Sequence, residues 1–307
     1  MKFADLKAEY AACRMDKQTF LRRMHEMHRR LFEYRALLRG TALESITVTE
    51  DRVLMRSKDG VSIVCDEDDE RIAPIEILNL GSYEREMFDM TLKLIGKNQT
   101  VFDVGANVGW YSLHLAKLVK GVRVYSFEPI PKTYGYLAEN IRLNKAGNVT
   151  AHNLGLSDRR GKLTFYYYPE GSVNASLANL TKSDAVRRIT CRVTTLDDFI
   201  HRKKTGVDFI KCDVEGAELL VFKGGMRTIE KNKPVIFAEM LRKWSANFNY
   251  HPNEIIKLLG GLGYGCYTAD KGGLSRFERM DEDTVETNFF FLHGKKHARL
   301  IGRLGGK

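Results

Sequence analysis

Residues 100–112 read TVFDVGANVGWYS. Thr100 to Val104 is a short run rich in β-branched and aromatic residues, the composition of a strand buried on both faces. A glycine-rich turn follows, and beyond it Leu113, Leu115, Ala116 and Leu118 continue as a helix. Such a turn lets a ligand approach the backbone, with N–H groups at the helix start facing it. It is not the G-x-G-x-x-G of a dinucleotide fold, because Asn107 stands at the middle glycine and bulky Trp110 follows Gly109. A nicotinamide cofactor is therefore disfavoured.

Outward from this stretch, strands and helices alternate. A helix is predicted over 84–95, a strand over 122–127, a helix over 132–143 and a strand over 149–155. A polar stretch with short strands, 162–195, interrupts; strand 207–212, helix 216–231, strand 234–239 and helix 252–262 resume the alternation. Short apolar strands separated by helices imply a parallel sheet covered on both faces. The last two apolar runs, 264–268 and 288–292, have no helix between them and form an antiparallel pair in this reading.

Ligands of open α/β sheets bind at the carboxyl ends of the strands. Those ends carry acids here: Asp103, Glu128, Asp213 with Glu215, and Glu239. Glu128 lies 19 residues beyond Gly109, where an ionised carboxylate can accept hydrogen bonds from both hydroxyls of a ribose. Ser157-Asp158 ends the third strand, where polar groups can frame an adenine, although Ser-Asp is also a good turn. For Glu215 and Glu218 the competing use is an acid at a helix N-terminus, set against the dipole.

The strings VFDVGANVGWYS, FEP at Phe127 to Pro129, GLSD ending at Asp158, LDDF ending at Phe199 and IKCDVEGAE ending at Glu218, in that order, resemble the FkbM-type S-adenosylmethionine-dependent methyltransferases. The resemblance spans about residues 80–292. It implies the Rossmann-like class I methyltransferase fold, a three-layer α/β sandwich around a seven-stranded, mostly parallel sheet whose last strand is antiparallel. It also implies that Asp103, Gly105, Asn107 and Gly109 line the methionine part of S-adenosylmethionine, that Glu128 takes the ribose, and that Ser157 and Asp158 lie by the adenine. Ala106 and Pro129 complete the cofactor set, and Asp213 sits nearest the sulfonium. Tyr83-Glu84 resembles a segment that covers the site, with Tyr83 towards the substrate.

The activity implied is O-methylation of a hydroxyl on a sugar, a glycan or a related small molecule, with S-adenosylhomocysteine as product. An alcohol attacks poorly until a base accepts its proton, a role assigned to Asp213 or Glu215. Glu239 orients the substrate or, with Asp213 and Glu215, holds a divalent ion; clustered carboxylates more often bind hydroxyls, and no metal is assigned. The polar loop 169–184 is a candidate lid, with Asn174 and Ser176 contacting substrate hydroxyls. Two other readings compete: methylation of nucleic acid, prompted by the basic chain, and a non-catalytic cofactor-binding assembly protein.

The charge narrows those readings. The chain of 307 residues carries a net +10, but residues 1–40 hold ten Lys/Arg against five Asp/Glu and residues 293–307 hold five against none. The remainder is neutral, so the basic character belongs to the ends and not to the chemistry between them. The domains read as a basic amphipathic helical arm (1–40), a small β-meander and linker (41–80, with strands over about 45–65), the methyltransferase domain (81–293) and a basic tail (294–307). In the arm, Phe20, Met24, Met27, Leu31, Tyr34 and Leu38 form a heptad-like seam, with an earlier helical piece broken at Asp16. Such a stripe packs on the domain or pairs with a second copy; a lipid surface or an anionic partner is the other use. The acidic run 66–70 reads as a solvated connection. Five scattered cysteines with no C-x-x-C pair exclude a zinc cage and read as reduced thiols. No apolar run is long enough to span a membrane and the start lacks a signal-peptide core, so the expectation is a soluble, cytoplasmic protein.

Overall fold

The computed structural model describes residues 2–168, 175–179 and 186–305. Three strands, β1 (Leu43–Val48), β2 (Val53–Ser57) and β3 (Ser62–Cys65), form the antiparallel meander. The central sheet holds β4 (Thr100–Val104), β5 (Arg123–Phe127) and β6 (Val149–His152). Between β6 and the rest of that sheet, β7 (Gly155–Leu156), β8 (Gly161–Tyr167) and β9 (Arg187–Thr194) make a second small sheet. The central sheet resumes with β10 (Phe209–Cys212), β11 (Val235–Glu239), β12 (Tyr264–Asp270), β13 (Gly273–Phe277) and β14 (Asn288–His293).

Its order is β13-β12-β14-β11-β10-β4-β5-β6, with β4, β5, β6, β10 and β11 mutually parallel and β14 antiparallel to β11. This is the layered α/β sheet with a reversed last strand that the sequence implies, except that it has eight strands. The additional one, β13, turns back from β12 at Lys271-Gly272 and pairs along its free edge. Chain order reverses between β4 and β10, so their carboxyl ends flank the topological switch point.

Helices α1 (Phe3–Ala11), α2 (Lys17–His28) and α3 (Arg30–Arg39) make the arm, and α4 (Ala73–Leu80) follows the meander. Around the sheet lie α5 (Arg85–Leu94), α6 (Trp110–Leu118), α7 (Pro131–Leu143), α8 (Leu196–Lys203), α9 (Glu218–Lys223), α10 (Met226–Asn232), α11 (Arg242–Ser245) and α12 (Asn253–Gly260); α13 (Ala298–Leu304) ends the described chain. Strand alternation sorts the core. Phe102, Val104, Ile210, Cys212, Ile236 and Phe291 pack on one face, with α8, α9 and α12. Val101, Phe209, Phe237, Phe290 and Leu292 pack on the other, with α5 and α6.

Three expectations are corrected. The arm's seam is not one helix: Asp16 caps α2 by accepting from the Thr19 N–H, as its position suggests, but the helix breaks again at Arg29. The linker contains α4, started by Pro74 at its first turn. The helix expected over 216–231 is split into α9 and α10 at Gly224-Gly225, where the Ser157 carbonyl oxygen lies 2.1 Å from the place a Cβ of residue 224 would take. The basic tail carries α13, whose Leu300, Ile301 and Leu304 pack against the β12–β14 side of the core.

The acidic run is also only partly solvated. Asp66 is buried, with the Lys132 ammonium 2.6 Å from its Oδ2, and Asp69 is buried and accepts from the Arg71 N–H, whereas Glu67, Asp68 and Glu70 are exposed. The five cysteines are unpaired thiols. Among the described residues no helix is long and apolar enough to cross a membrane.

Candidate active site

A row of register partners crosses the sheet at its carboxyl edge: Ser126 on β5, Asp103 on β4, Lys211 on β10 and Phe237 on β11. Partners on neighbouring parallel strands project to the same face, so Asp103 and Lys211 are brought together by pairing alone. Both are buried. The Ser112 hydroxyl donates to Asp103 Oδ2 at 2.6 Å and lies 2.6 Å from the Ser126 hydroxyl. Lys211 Nζ donates to Asp213 Oδ2 at 2.9 Å and to the Gly105 carbonyl at 3.3 Å, lies 3.8 Å from Asp103 Oδ1, and sits 5.2 Å from the centre of the Tyr111 ring. Asp103 Oδ1 is buried with no hydrogen-bond partner.

The glycine turn is locked to its neighbours. Gly105 has a φ of +78°, and a Cβ on it would stand 1.8 Å from the Asp213 carbonyl oxygen. The Gly105 and Ala106 N–H groups donate to the Phe127 carbonyl, tying the turn to the end of β5. Just beyond that end, Glu128 is buried and accepts from the Asn107 N–H at 3.1 Å and the Ile130 N–H at 2.9 Å. Burial pushes its carboxyl up to about 7, against the opposing effect of those two amides.

On the other side of the switch point, Glu215 sits in a left-handed conformation, φ 54°, in the turn after β10. Glu218 shapes this turn: its Oε1 accepts from the Val214 and Gly216 N–H groups, and the Tyr250 hydroxyl donates to its Oε2. Glu218 thus takes the helix-start role, and Glu215 does not. Asp213, Glu215 and Glu239 each offer an oxygen, all within 4.8 Å of one another. Burial, and next the charge of Asp213, hold Glu215 and Glu239 well above the usual carboxylate range. Burial alone would lower the Lys211 ammonium, but Asp213, Asp103 and Glu84 outweigh it and raise the group.

These residues line a cavity of about 400 Å³. Asp103, Gly105, Ala106, Asn107, Glu128, Pro129, Asp213, Glu215, Glu239 and Tyr83 all border it. Other expected positions do not. Gly109 faces inward, where a Cβ would come 2.6 Å from Leu137, so it serves helix packing. Ser157 is buried, its carbonyl against Gly224, and Asp158 is exposed; neither borders the cavity. Ser176 is buried and donates to the Glu215 carbonyl at 2.8 Å, so its hydroxyl fastens a strand-side segment to the acidic turn and is not presented to a substrate. Asn174 and most of the proposed lid lie outside the described residues.

Among the lining residues, sequence reasoning gave no role to Lys211, Lys243 or Trp244, and named Glu84 only as part of the covering segment Tyr83-Glu84. Lys211 is the most central, and its signal was a lone lysine within an apolar strand. Glu84 is held by the Tyr111 hydroxyl at 2.8 Å and raised by burial and by Asp213. Trp244 forms the wall opposite, its backbone packed where a Cβ on Gly216 would clash at 2.8 Å, and Lys243 lies 4.2 Å from its ring centre. Long-range contacts bring Lys243 and Trp244 in, and no local pattern announces them.

A family model described as the methyltransferase FkbM domain matches residues 103–266. Methyltransferase sdnD of Sordaria araneosa is 31% identical over 156 residues, 41% of this chain and 60% of that protein. The 31-O-demethyl-FK506 methyltransferase FkbM of Streptomyces tacrolimicus is 30% identical over 155 residues, 40% of this chain and 58% of that protein. The chain therefore spans about three-fifths of the length of these curated relatives. A crystal structure of methyltransferase FkbM from Methylobacillus flagellatus KT superposes with a TM-score of 0.44 and 16% identity, covering 87% of this chain and 60% of that one. With the family's domain matched over more than half of its length, from the end of β4 into β12, the chain belongs to the FkbM methyltransferases.

Proposed function

We propose that the chain transfers a methyl group from S-adenosylmethionine to a hydroxyl oxygen of a sugar, a glycan or a related small molecule. The observation that carries this is the meeting, in one cavity, of a buried carboxylate at the ribose position, Glu128, and a trio of carboxylates across the switch point. The residues present fit the cofactor. Asp103 Oδ1 is a buried acceptor with no hydrogen-bond partner, 3.8 Å from the Lys211 ammonium, and Glu128 keeps free acceptor sites beside the two its amide partners use. S-adenosylmethionine, when bound, supplies the methyl group on a positively charged sulfur.

The chain's own residues then have three tasks. Glu128, Asp103 and the 105–107 turn orient the donor, and fixing two reactants at contact distance supplies much of the rate. Lys211 engages Asp213 Oδ2, which leaves Glu215 and Glu239 as the carboxylates best placed to accept the acceptor's proton. Trp244 and Tyr83 wall the cavity with aromatic surface on which a sugar ring can rest. The acidic lining disfavours a polyanionic acceptor such as nucleic acid. The name of the Streptomyces tacrolimicus relative, which specifies a 31-O position, supports oxygen as the atom methylated.

Calorimetry with adenosylhomocysteine, followed by labelled methyl transfer to a panel of nucleotide sugars, glycans and small alcohols, tests the reading. Glu215→Gln and Glu239→Gln are expected to lower kcat by roughly 10²–10⁴-fold with adenosylhomocysteine affinity nearly unchanged. Absence of binding heat for the folded chain overturns the reading.

A further inference from the structure

The exposed apolar surface of this molecule is concentrated at one end. Of eleven large apolar side chains exposed among the described residues, seven lie between Phe3 and Leu37. The first half of the arm covers part of itself: Tyr10 stacks on Phe20 at 4.4 Å, Phe3 on His28 at 5.0 Å, and Leu6 is buried, while Leu21 stays exposed. The second half is more open. In α3, Leu31 is 62% exposed, Phe32 71% and Leu37 48%, although Leu31 belongs to the same seam as the half-buried Met24 and Met27. Contiguous exposure of this kind marks a docking surface in a folded protein.

Leu31, Tyr34 and Leu38 overhang a groove of about 930 Å³ whose floor includes Ile46, Val53 and Met55 of the meander. Its two walls carry opposite charge. Arg35 and Arg39 of α3 stand on one, and Glu67 and Glu70 of the acidic connection on the other. All four are exposed, and the arm as a whole has ten basic residues against five acidic. A two-fold axis makes an interface self-complementary, each copy offering the patch that the other needs. A groove with an apolar floor, a basic wall and an acidic wall meets that condition.

We infer that the chain forms a homodimer in which α3 of each copy lies in the other's groove, seam against meander, with Arg35 and Arg39 facing Glu67 and Glu70 of the second copy. A bilayer fits this surface less well, since pressing Leu31 and Phe32 into lipid brings Glu67 and Glu70 towards anionic headgroups. The placement also touches the methyl-transfer cavity through α4. Ile75 borders the groove, whereas Ala73, Glu76 and Leu80 of the same helix border the cavity. Covering the groove therefore braces one wall of the site.

The test is sedimentation equilibrium of the full chain at about 10 μM, a concentration above the weaker Kd values of standard-size interfaces. The expected particle has twice the 35.1 kDa chain mass. Leu31→Glu with Tyr34→Glu, both at exposed positions, is expected to weaken association at least about 30-fold, with an unchanged far-UV spectrum. Arg35→Glu/Arg39→Glu and Glu67→Arg/Glu70→Arg chains are each expected to self-associate poorly and to pair with one another when mixed. A monomeric wild type, or a dimer indifferent to the Leu31/Tyr34 and charge-reversal variants, overturns the proposal. A monomer in solution that sediments with phosphatidylserine-containing vesicles overturns it in favour of a lipid surface.

Discussion

Glu128 is held by two backbone N–H donors yet is buried deeply enough that its carboxyl sits at about 7 instead of 4.5. A carboxyl raised on folding contributes stability that is full below pH 4.5 and lost as pH rises through about 7, because the folded chain binds the proton more tightly. The Glu128→Gln variant is expected to flatten this part of the stability curve of the free protein, whatever constant cost its amide incurs against the Asn107 or Ile130 N–H. Thermal melts from pH 4.5 to 8 read the slope. The same variant is expected to lose about 10–100-fold in adenosylhomocysteine affinity, the worth of one or two charge-assisted hydrogen bonds. Lys211 poses the complementary case of a buried cation amid Asp103, Asp213 and Glu84. Lys211→Met leaves those carboxylates uncompensated and is expected to cost roughly 3–5 kcal/mol. Urea titration measures it, and adding Asp213→Asn is expected to restore part of the loss.

The supporting elements interlock at their loops. The turn after β4 and the turn after β10 pass so closely that residue 105 has no room for a methyl group, and its φ of +78° independently favours glycine. Gly105→Ala is expected to cost on the order of 2–4 kcal/mol and to abolish adenosylhomocysteine binding, measured by denaturation and calorimetry; an alanine variant with unchanged affinity refutes this account of the turn. The element boundaries read from the sequence were closest where one strand or helix is explained by its own pattern. β4, β10, β11 and α7 fall within two residues of their expected ends. The boundaries departed at the α9–α10 break, where residue 224 has no room for a side chain against the Ser157 carbonyl.

At the scale of the molecule, the two ends differ in kind. The arm leaves apolar surface open, whereas α13 closes it, setting Leu300, Ile301 and Leu304 over the edge strands while Arg303 donates to the Lys93 carbonyl. Deleting 298–307 is expected to cost about 2–4 kcal/mol, the worth of three partly buried aliphatic side chains. Chemical denaturation tests this, and an unchanged midpoint refutes it. The amino-acid order alone determined the alternation of strand and helix, the acids at the strand ends and the reversed final strand. Each of these follows from hydrophobic period or from a motif a few residues long. Only the tertiary structure decided that Lys211 lies among Asp103, Asp213 and Glu84, that Ser157, Ser176 and Gly109 stand outside the cavity's lining, and that half of the arm's seam stays open. Those outcomes rest on register between strands more than a hundred residues apart and on contacts between loops. A side chain's neighbours there are set by the fold, and its flanking sequence carries no record of them.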